Sequence, residues 1–417
     1  MNKSGKKIVG IFTYSVLFLM CMSVIYSGAV QIARDIDEHK EAGEWKASEY
    51  YPLEKAEYSV RHSVLNKIAA IENKIEEEAT SSFDFKMPFV LTKKACDRVL
   101  GLDMTTSLCS GDNDLNKVDD IVLAYEEDYL GFVMDDVDIA GKIENLVSFG
   151  SQMKGEGRNF LLFMTPDKFK GNEIYQNYSE EKKEEVRNSF LEKNLDIVCI
   201  SEMMDKNNMI SLFFKTDHHW KPSAGIWADR LLCEFLNKNY GYHFDTSVFD
   251  MGNYEIEIRE ESFLGSQGKK VTEVYSSKED FPIILPQYNT DLDVFISGKG
   301  KICYGSIEDT LLDYSVFEEK SSYLRKNYSF YGYGDQALIT IHNNNVHDGS
   351  NILMIKTSFA HCMYPYLAAA VEDLSIVDLR YFDGSIQSYI KEIEPDTIIV
   401  IYGMAAFEGG NDLFDFR

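Results

Sequence analysis

From residue 139 onward the chain alternates between short apolar runs and longer amphipathic stretches. Unbroken apolar runs stand at Asn159–Met164 (NFLLFM), 195–200 (LDIVCI), 352–355, 376–379 and Thr397–Tyr402 (TIIVIY). Runs of this length, closed by turn residues, predict strands covered on both faces. Between them, 139–149, 179–193, 223–239, 364–371 and 384–393 carry apolar positions at helical spacing. Pro222 falls in the first turn of the third helix, and Ser223 is its candidate cap. Strands separated by helices of about ten residues predict parallel β-α-β units. The pattern changes over 252–345, where short β-rich runs such as 281–285 and 338–341 lie among Gly and Asn. One long helix is expected there, at 310–325, and the region reads as a lid-like insertion on the main sheet. Ligands of parallel sheets bind beyond the carboxyl ends of the strands. Two segments hold that position: Thr165-Pro166-Asp167-Lys168 and Lys356-Thr357-Ser358-Phe359.

The amino terminus adds a membrane segment. Lys3, Lys6 and Lys7 precede 8–30, IVGIFTYSVLFLMCMSVIYSGAV, which has no charged residue, and Arg34-Asp35-Ile36-Asp37-Glu38 follow. Roughly 20 apolar residues span a bilayer as a helix. The flanking charges place the amino terminus in the cytoplasm and the rest outside. Ser27-Gly28-Ala29 would suit a cleaved signal, but the run exceeds the about 7–15 apolar residues such signals use, so an uncleaved single-pass anchor is expected. The organisation is then 1–30 as cytoplasmic tip and anchor, 31–80 as linker and amphipathic helix, and 81–417 as the α/β domain. Val64, Leu65, Ile68, Ile71 and Ile75 supply the helical spacing in the second part. With 42 Lys+Arg against 68 Asp+Glu the net charge is −26, which argues against a nucleic-acid partner. No pair of cysteines has C-x-x-C spacing. Cys96 and Cys109 can close a small loop, whereas Cys199, Cys233 and Cys362 sit in apolar surroundings and read as buried thiols.

The chemistry concentrates in FFKTDHHWKPSAG, 213–225, which holds two of the eight histidines and one of the three tryptophans. Three readings compete. Asp217, His218 and His219 are legitimate metal ligands, but adjacent histidines diverge unless the backbone bends, and no further ligand stands at a recognisable spacing. The second reading is a structural cluster, with Asp217 capping a turn and Trp220 packing. The third is an acid–base pair. Asp217 and His219 are two apart, so in an extended segment they leave on one side and His218 points the opposite way. The aspartate then fixes the tautomer and the free ring nitrogen takes a proton from a nucleophile. A serine at a strand end before a helix has an exposed hydroxyl with amide donors nearby. Ser358 fits that description, and it equally fits a helix N-cap. Gly265-Ser266-Gln267-Gly268-Lys269-Lys270 lacks phosphate-loop spacing and reads as a turn.

FFKTDHHWKPSAG together with NILMIKTSFAHCMYPYLA (351–368) resembles the DHHW protein family, and more distantly the SGNH-hydrolase-like proteins of bacterial alginate O-acetylation. The likeness extends through RNFLLFMTPDK (158–168), FLGSQGKKV (263–271) and SIVDLRYF (375–382). It implies a flavodoxin-like parallel sheet with helices on both faces and a Ser–His–Asp triad in the chain order Asp, His, Ser. Mapped by motif, Asp217 is the orienting acid, His219 the base and Ser358 the nucleophile. His218 and Trp220 are structural, and neither cofactor nor metal is required. The residue before the serine is often Asp in that family and is Thr357 here. The implied activity is O-acetylation of a cell-surface or exported polysaccharide at a bacterial membrane. The backbone N–H groups of Ser358 or Phe359 would hold the oxyanion, and a membrane-embedded O-acyltransferase would supply acyl groups. An esterase or deacetylase uses the same residues, and a non-catalytic anchored glycan-binding scaffold would keep the same fold.

Overall fold

The computed structural model describes residues 117–118, 121–122, 129–132 and 138–417, apart from 169–172, 204–208 and 274–275. The apolar segment 8–30, the helix expected near 64–78 and the Cys96/Cys109 pair lie outside the described residues. Among the described residues, no helix is long and apolar enough to cross a membrane.

The elements of the main layer are α1 (Ala140–Gly155), β1 (Asn159–Met164), α2 (Glu173–Glu192), β2 (Asp196–Cys199) and α3 (Pro222–Tyr240). The hairpin β3 (Tyr254–Phe263) and β4 (Glu279–Pro286) follows, with the short α4 (Ser266–Val271) between its strands. Then come β5 (Leu292–Ile296), β6 (Lys301–Gly305), α5 (Ile307–Leu311), β7 (Leu338–Asn343), β8 (Asn351–Lys356), α6 (Tyr364–Leu367), β9 (Asp373–Val377), α7 (Ile386–Ile393), β10 (Thr397–Tyr402) and α8 (Met404–Glu408).

Eight strands form one sheet in the order β2-β1-β10-β8-β9-β7-β5-β6. From β2 to β9 all neighbours are parallel, and β7, β5 and β6 continue antiparallel. The parallel strands are apolar along their length because both faces are covered. Leu161, Phe163, Ile352, Met354, Ile399 and Ile401 pack on the side of α3. Their sequence neighbours Phe160, Leu162, Leu353, Ile355, Ile398 and Val400 pack on the side of α1, α2 and α7. Period-two alternation thus builds two cores from one set of strands.

The region 252–345 is an insertion only in part. Its β3–β4 pair stands as a separate two-stranded sheet, but β5, β6 and β7 extend the main sheet. β5 and β7 alternate buried and half-buried positions, the pattern of strands covered on one face. The long helix at 310–325 is absent. Ser306 and Asp309 form a capping box that starts α5 earlier. Leu312 then pairs with Tyr331, and Asp313 caps a separate 3-10 turn over Tyr314–Glu318. The helix at 364–371 shortens to α6. Ser223 is not the cap of α3: the helix begins at Pro222 after an extended Lys221, and no side chain caps it.

Candidate active site

The segment around Asp217 is the turn of a tight hairpin, not an extended strand. Phe213 pairs with Trp220, Lys221 N donates to Leu212 O at 2.7 Å and Phe214 N to His219 O at 3.2 Å. Within the turn, Asp217 Oδ1 accepts the backbone N–H of His219 at 2.9 Å, the Asx-turn geometry aspartate favours. The same oxygen lies 2.6 Å from His219 Nδ1. Asp217 Oδ2 accepts the backbone N–H of Ser266, the first residue of α4, at 2.6 Å. Burial opposes the charge on Asp217, but His219, His218 and these hydrogen bonds outweigh it and hold the carboxyl well below the usual range.

His219 Nε2 lies 2.7 Å from Ser358 Oγ. Ser358 opens a 3-10 turn, Ser358–Cys362, immediately beyond the carboxyl end of β8. In the tautomer whose Nδ1–H donates to the Asp217 carboxylate, the Nε2 lone pair of His219 faces the serine hydroxyl. Two rings press on His219: Tyr328, stacked at 4.0 Å and 13°, and His218 at 3.8 Å and 37°. The Tyr328 hydroxyl lies 3.0 Å from Cys362 Sγ, in the same turn as Ser358. Trp220 Nε1 donates to Phe359 O at 2.9 Å, tying the hairpin to the serine turn. The backbone N–H groups of Ser358 and Phe359, the expected oxyanion donors, open that turn.

Two charged side chains grip the hairpin. Glu279 on β4 accepts from Lys215 N at 2.6 Å, Thr216 N at 2.7 Å and Thr216 Oγ1 at 2.7 Å. Lys168, just beyond β1, donates to Lys215 O at 2.8 Å and Asp217 O at 2.7 Å. Gly265 is required by close approach, since a Cβ there would lie 2.3 Å from Asp217 Cβ and 2.4 Å from Thr216 O. Gly225 in α3 meets the serine turn in the same way, its Cβ position being 2.4 Å from Cys362 O.

A charged network lies behind the serine. Lys356, fully buried at the end of β8, reaches Asp378 Oδ2 at 2.9 Å. Arg380 Nη2 bonds the same oxygen at 2.6 Å and Asp335 at 2.9 Å. His361 Nε2 lies 3.2 Å from Asp335. Burial and the neighbouring Lys356 push His361 down to about 3, so its ring is neutral.

The fold therefore gathers Asp217, His219 and Ser358 into one hydrogen-bonded line, with Trp220 and Phe359 beside it. His218 does not point away. The backbone bends, so its ring packs at a tilt against His219 and its Nδ1 lies 2.9 Å from Ser266 Oγ. Burial and the adjacent His219 push it down to about 3, although its side chain is 33% exposed. That bend also brings the ligand atoms of Asp217, His218 and His219 within 4.8 Å of one another, but hydrogen bonds to each other, Ser266 and Ser358 already engage them. The segment 265–270 is more than a turn: its first helical N–H holds Asp217. Lys168 stands just beyond a strand end in the sequence, but its hydrogen-bond partners carry no sequence signal. Glu279 and Tyr328 carry no motif; Glu279 meets Thr216 from 63 residues away, and only the fold joins them.

No curated protein matches the chain in sequence. Solved structures share its fold. A DHHW family protein from Eubacterium siraeum aligns at 19% identity over 72% of this chain and 96% of that one, with a TM-score of 0.57. PatB1 from Bacillus cereus aligns at 19% identity over 71% of this chain and 100% of that one, also with a TM-score of 0.57. PatB1 has also been solved with a sulfonyl adduct, which aligns at 17% identity over 72% and 100%, TM-score 0.56. The DHHW protein family model matches residues 164–377, just over half of the chain and a span that contains the hairpin, α4 and the serine turn. The chain belongs to the DHHW protein family.

Proposed function

We propose that this chain is a membrane-anchored, extracytoplasmic acyl-transfer enzyme that O-acetylates a cell-surface or exported polysaccharide through Ser358, His219 and Asp217. The observation that carries the reading is the continuous line from Asp217 through His219 to Ser358, with contacts of 2.6 and 2.7 Å. His219 Nε2 takes the hydroxyl proton as Ser358 Oγ attacks the acyl carbonyl. The oxyanion that forms is held by the N–H groups of Ser358 or Phe359. His219 returns the proton to the leaving oxygen of the donor, and an acyl-serine remains. A sugar hydroxyl then gives its proton to His219 and attacks the acyl carbon. The serine oxygen leaves, recovers the proton, and the sugar carries the ester. Water in place of the sugar would make the same site an esterase. The apolar segment 8–30 supports the anchor, and a membrane-embedded O-acyltransferase would be the acyl source. A fold neighbour solved with a sulfonyl adduct supports probing this serine with a sulfonylating reagent.

The test uses the full chain in detergent. Phenylmethylsulfonyl fluoride is expected to add one sulfonyl group at Ser358, read by peptide mass, and to stop acetyl release from p-nitrophenyl acetate. General-base assistance is typically worth about 10²–10⁴-fold, so His219→Ala should slow acetyl release by that order. Equal rates for wild type and Ser358→Ala would remove Ser358 as nucleophile. Transfer of acetyl to an added oligosaccharide, in preference to water, separates the transferase from the esterase.

A further inference from the structure

Lys168 is buried, only 7% exposed, and each of its three ammonium N–H bonds has its own acceptor. Nζ reaches Asp217 O at 2.7 Å, Lys215 O at 2.8 Å and Gln267 Oε1 at 3.1 Å. It therefore joins the end of β1, both sides of the hairpin turn and α4. One acceptor is the main-chain carbonyl of Asp217, whose side chain orients His219. Only the ammonium form has three N–H donors; the neutral amine has two and leaves one of these acceptors without its donor. The charged and titratable groups around Lys168 are Asp217, His218 and Lys215 of the hairpin and Glu279 of β4, with Tyr129 5.6 Å from Nζ. α4 contributes the neutral amide of Gln267.

We propose that Lys168 is the positioning residue that sets the Asp217–His219 pair, and that acyl transfer runs only while its ammonium holds all three acceptors. This rests on the acyl-transfer reading above. Burial lowers Lys168 to about 7 against the opposing charges of Asp217 and Glu279, so the ammonium is lost within an accessible pH range. In the unfolded chain lysine titrates near 10.4, roughly. Between about 7 and that value the unfolded state binds the extra proton, so the fold gains stability as pH rises. Activity should fall as pH passes about 7, at the foot of that window. A purely structural role would move the two together.

The experiment is stopped-flow acylation of the full chain by p-nitrophenyl acetate from pH 6 to 9.5, with Ser358→Ala as the background. Wild type is expected to lose rate with a midpoint near neutral pH while its melting temperature does not drop. Lys168→Met is expected to acylate at least tenfold more slowly and to lack the alkaline limb. In Lys168→Ala, added methylammonium should restore part of the rate below neutral pH. A wild-type rate that stays flat from pH 7 to 9.5 overturns the proposal, as does a Lys168→Met variant that keeps wild-type rate and limb. Where Lys168→Met fails to melt cooperatively, the wild-type profile decides. A wild-type chain that never acylates overturns both readings, whereas one that acylates without the limb overturns only the role of Lys168.

Discussion

Asp217 makes three close contacts at the site. It accepts from the backbone of His219, from the His219 ring and from Ser266. Asp217→Asn keeps the shape but adds N–H donors where acceptors are needed and permits the wrong imidazole tautomer. Acetyl release should fall by about 10²–10⁴-fold with little change in substrate KM, measured by steady-state kinetics. A second residue tests the core rather than the chemistry. Asp229 in α3 is fully buried, and neither carboxylate oxygen has a hydrogen-bond partner among the described residues. Burial raises its pKa well above the usual value, so the folded state holds the neutral acid. A raised folded pKa gives stability that is complete below about 4, where the unfolded chain is protonated too, and that declines as pH rises toward the folded value. Asp229→Leu should therefore gain about 1–3 kcal/mol at neutral pH, with the gain shrinking toward pH 4 in thermal melts. A pH-independent difference would count against this account.

At the scale of elements, the site is three short pieces held by their neighbours. The hairpin, α4 and the serine turn are each too short to be stable alone. α4 meets the hairpin through Gly265 and through Ser266 N on Asp217. Gly265→Ala should push the two apart, costing about 1–3 kcal/mol by overpacking and lowering acetyl release more than thermal stability predicts. Glu279 reaches the opposite side of the same turn. Glu279→Gln replaces one acceptor oxygen by a donor against the N–H groups of Lys215 and Thr216. A loss of about 1–3 kcal/mol is expected from the unpaired group, read by urea denaturation. Behind the serine turn, Lys356 pairs with Asp378 and lies 3.1 Å from His361 Nε2 of the turn, and breaking one member of a buried ionic set typically costs about 3–5 kcal/mol.

For the whole molecule, the parallel half of the sheet sets where the candidate site lies. β1 and β8 lie on either side of β10, and Lys168 and Ser358 follow their carboxyl ends. The antiparallel strands β7, β5 and β6 widen the sheet away from that edge. The net charge of −26 predicts negligible retention on immobilised duplex DNA even at low salt. The proposed anchor predicts that the full chain stays with the membrane fraction in high salt and is released by detergent, whereas deletion of 1–30 frees it.

The sequence by itself specified the strands with the strongest apolar runs. NFLLFM and TIIVIY are strands at the expected residues, because a run covered on both faces needs no partner to be recognised. It also singled out Asp217, His219 and Ser358 as residue types able to work together, through local spacing and motif. Periodicity could not reveal that 213–220 turns back on itself, which reverses the expected direction of His218. Nor could it separate an insertion from an extension of the sheet, since pairing of β5 and β7 depends on strands distant in the chain. The 2.7 Å approach of His219 to Ser358, spanning 139 residues, was decided by tertiary structure alone. So were the contacts of Glu279, Lys168 and Tyr328. Each acts through a contact whose partner lies on another element, and hydrophobic patterning fixes which face of an element is buried but not which polar groups meet across it.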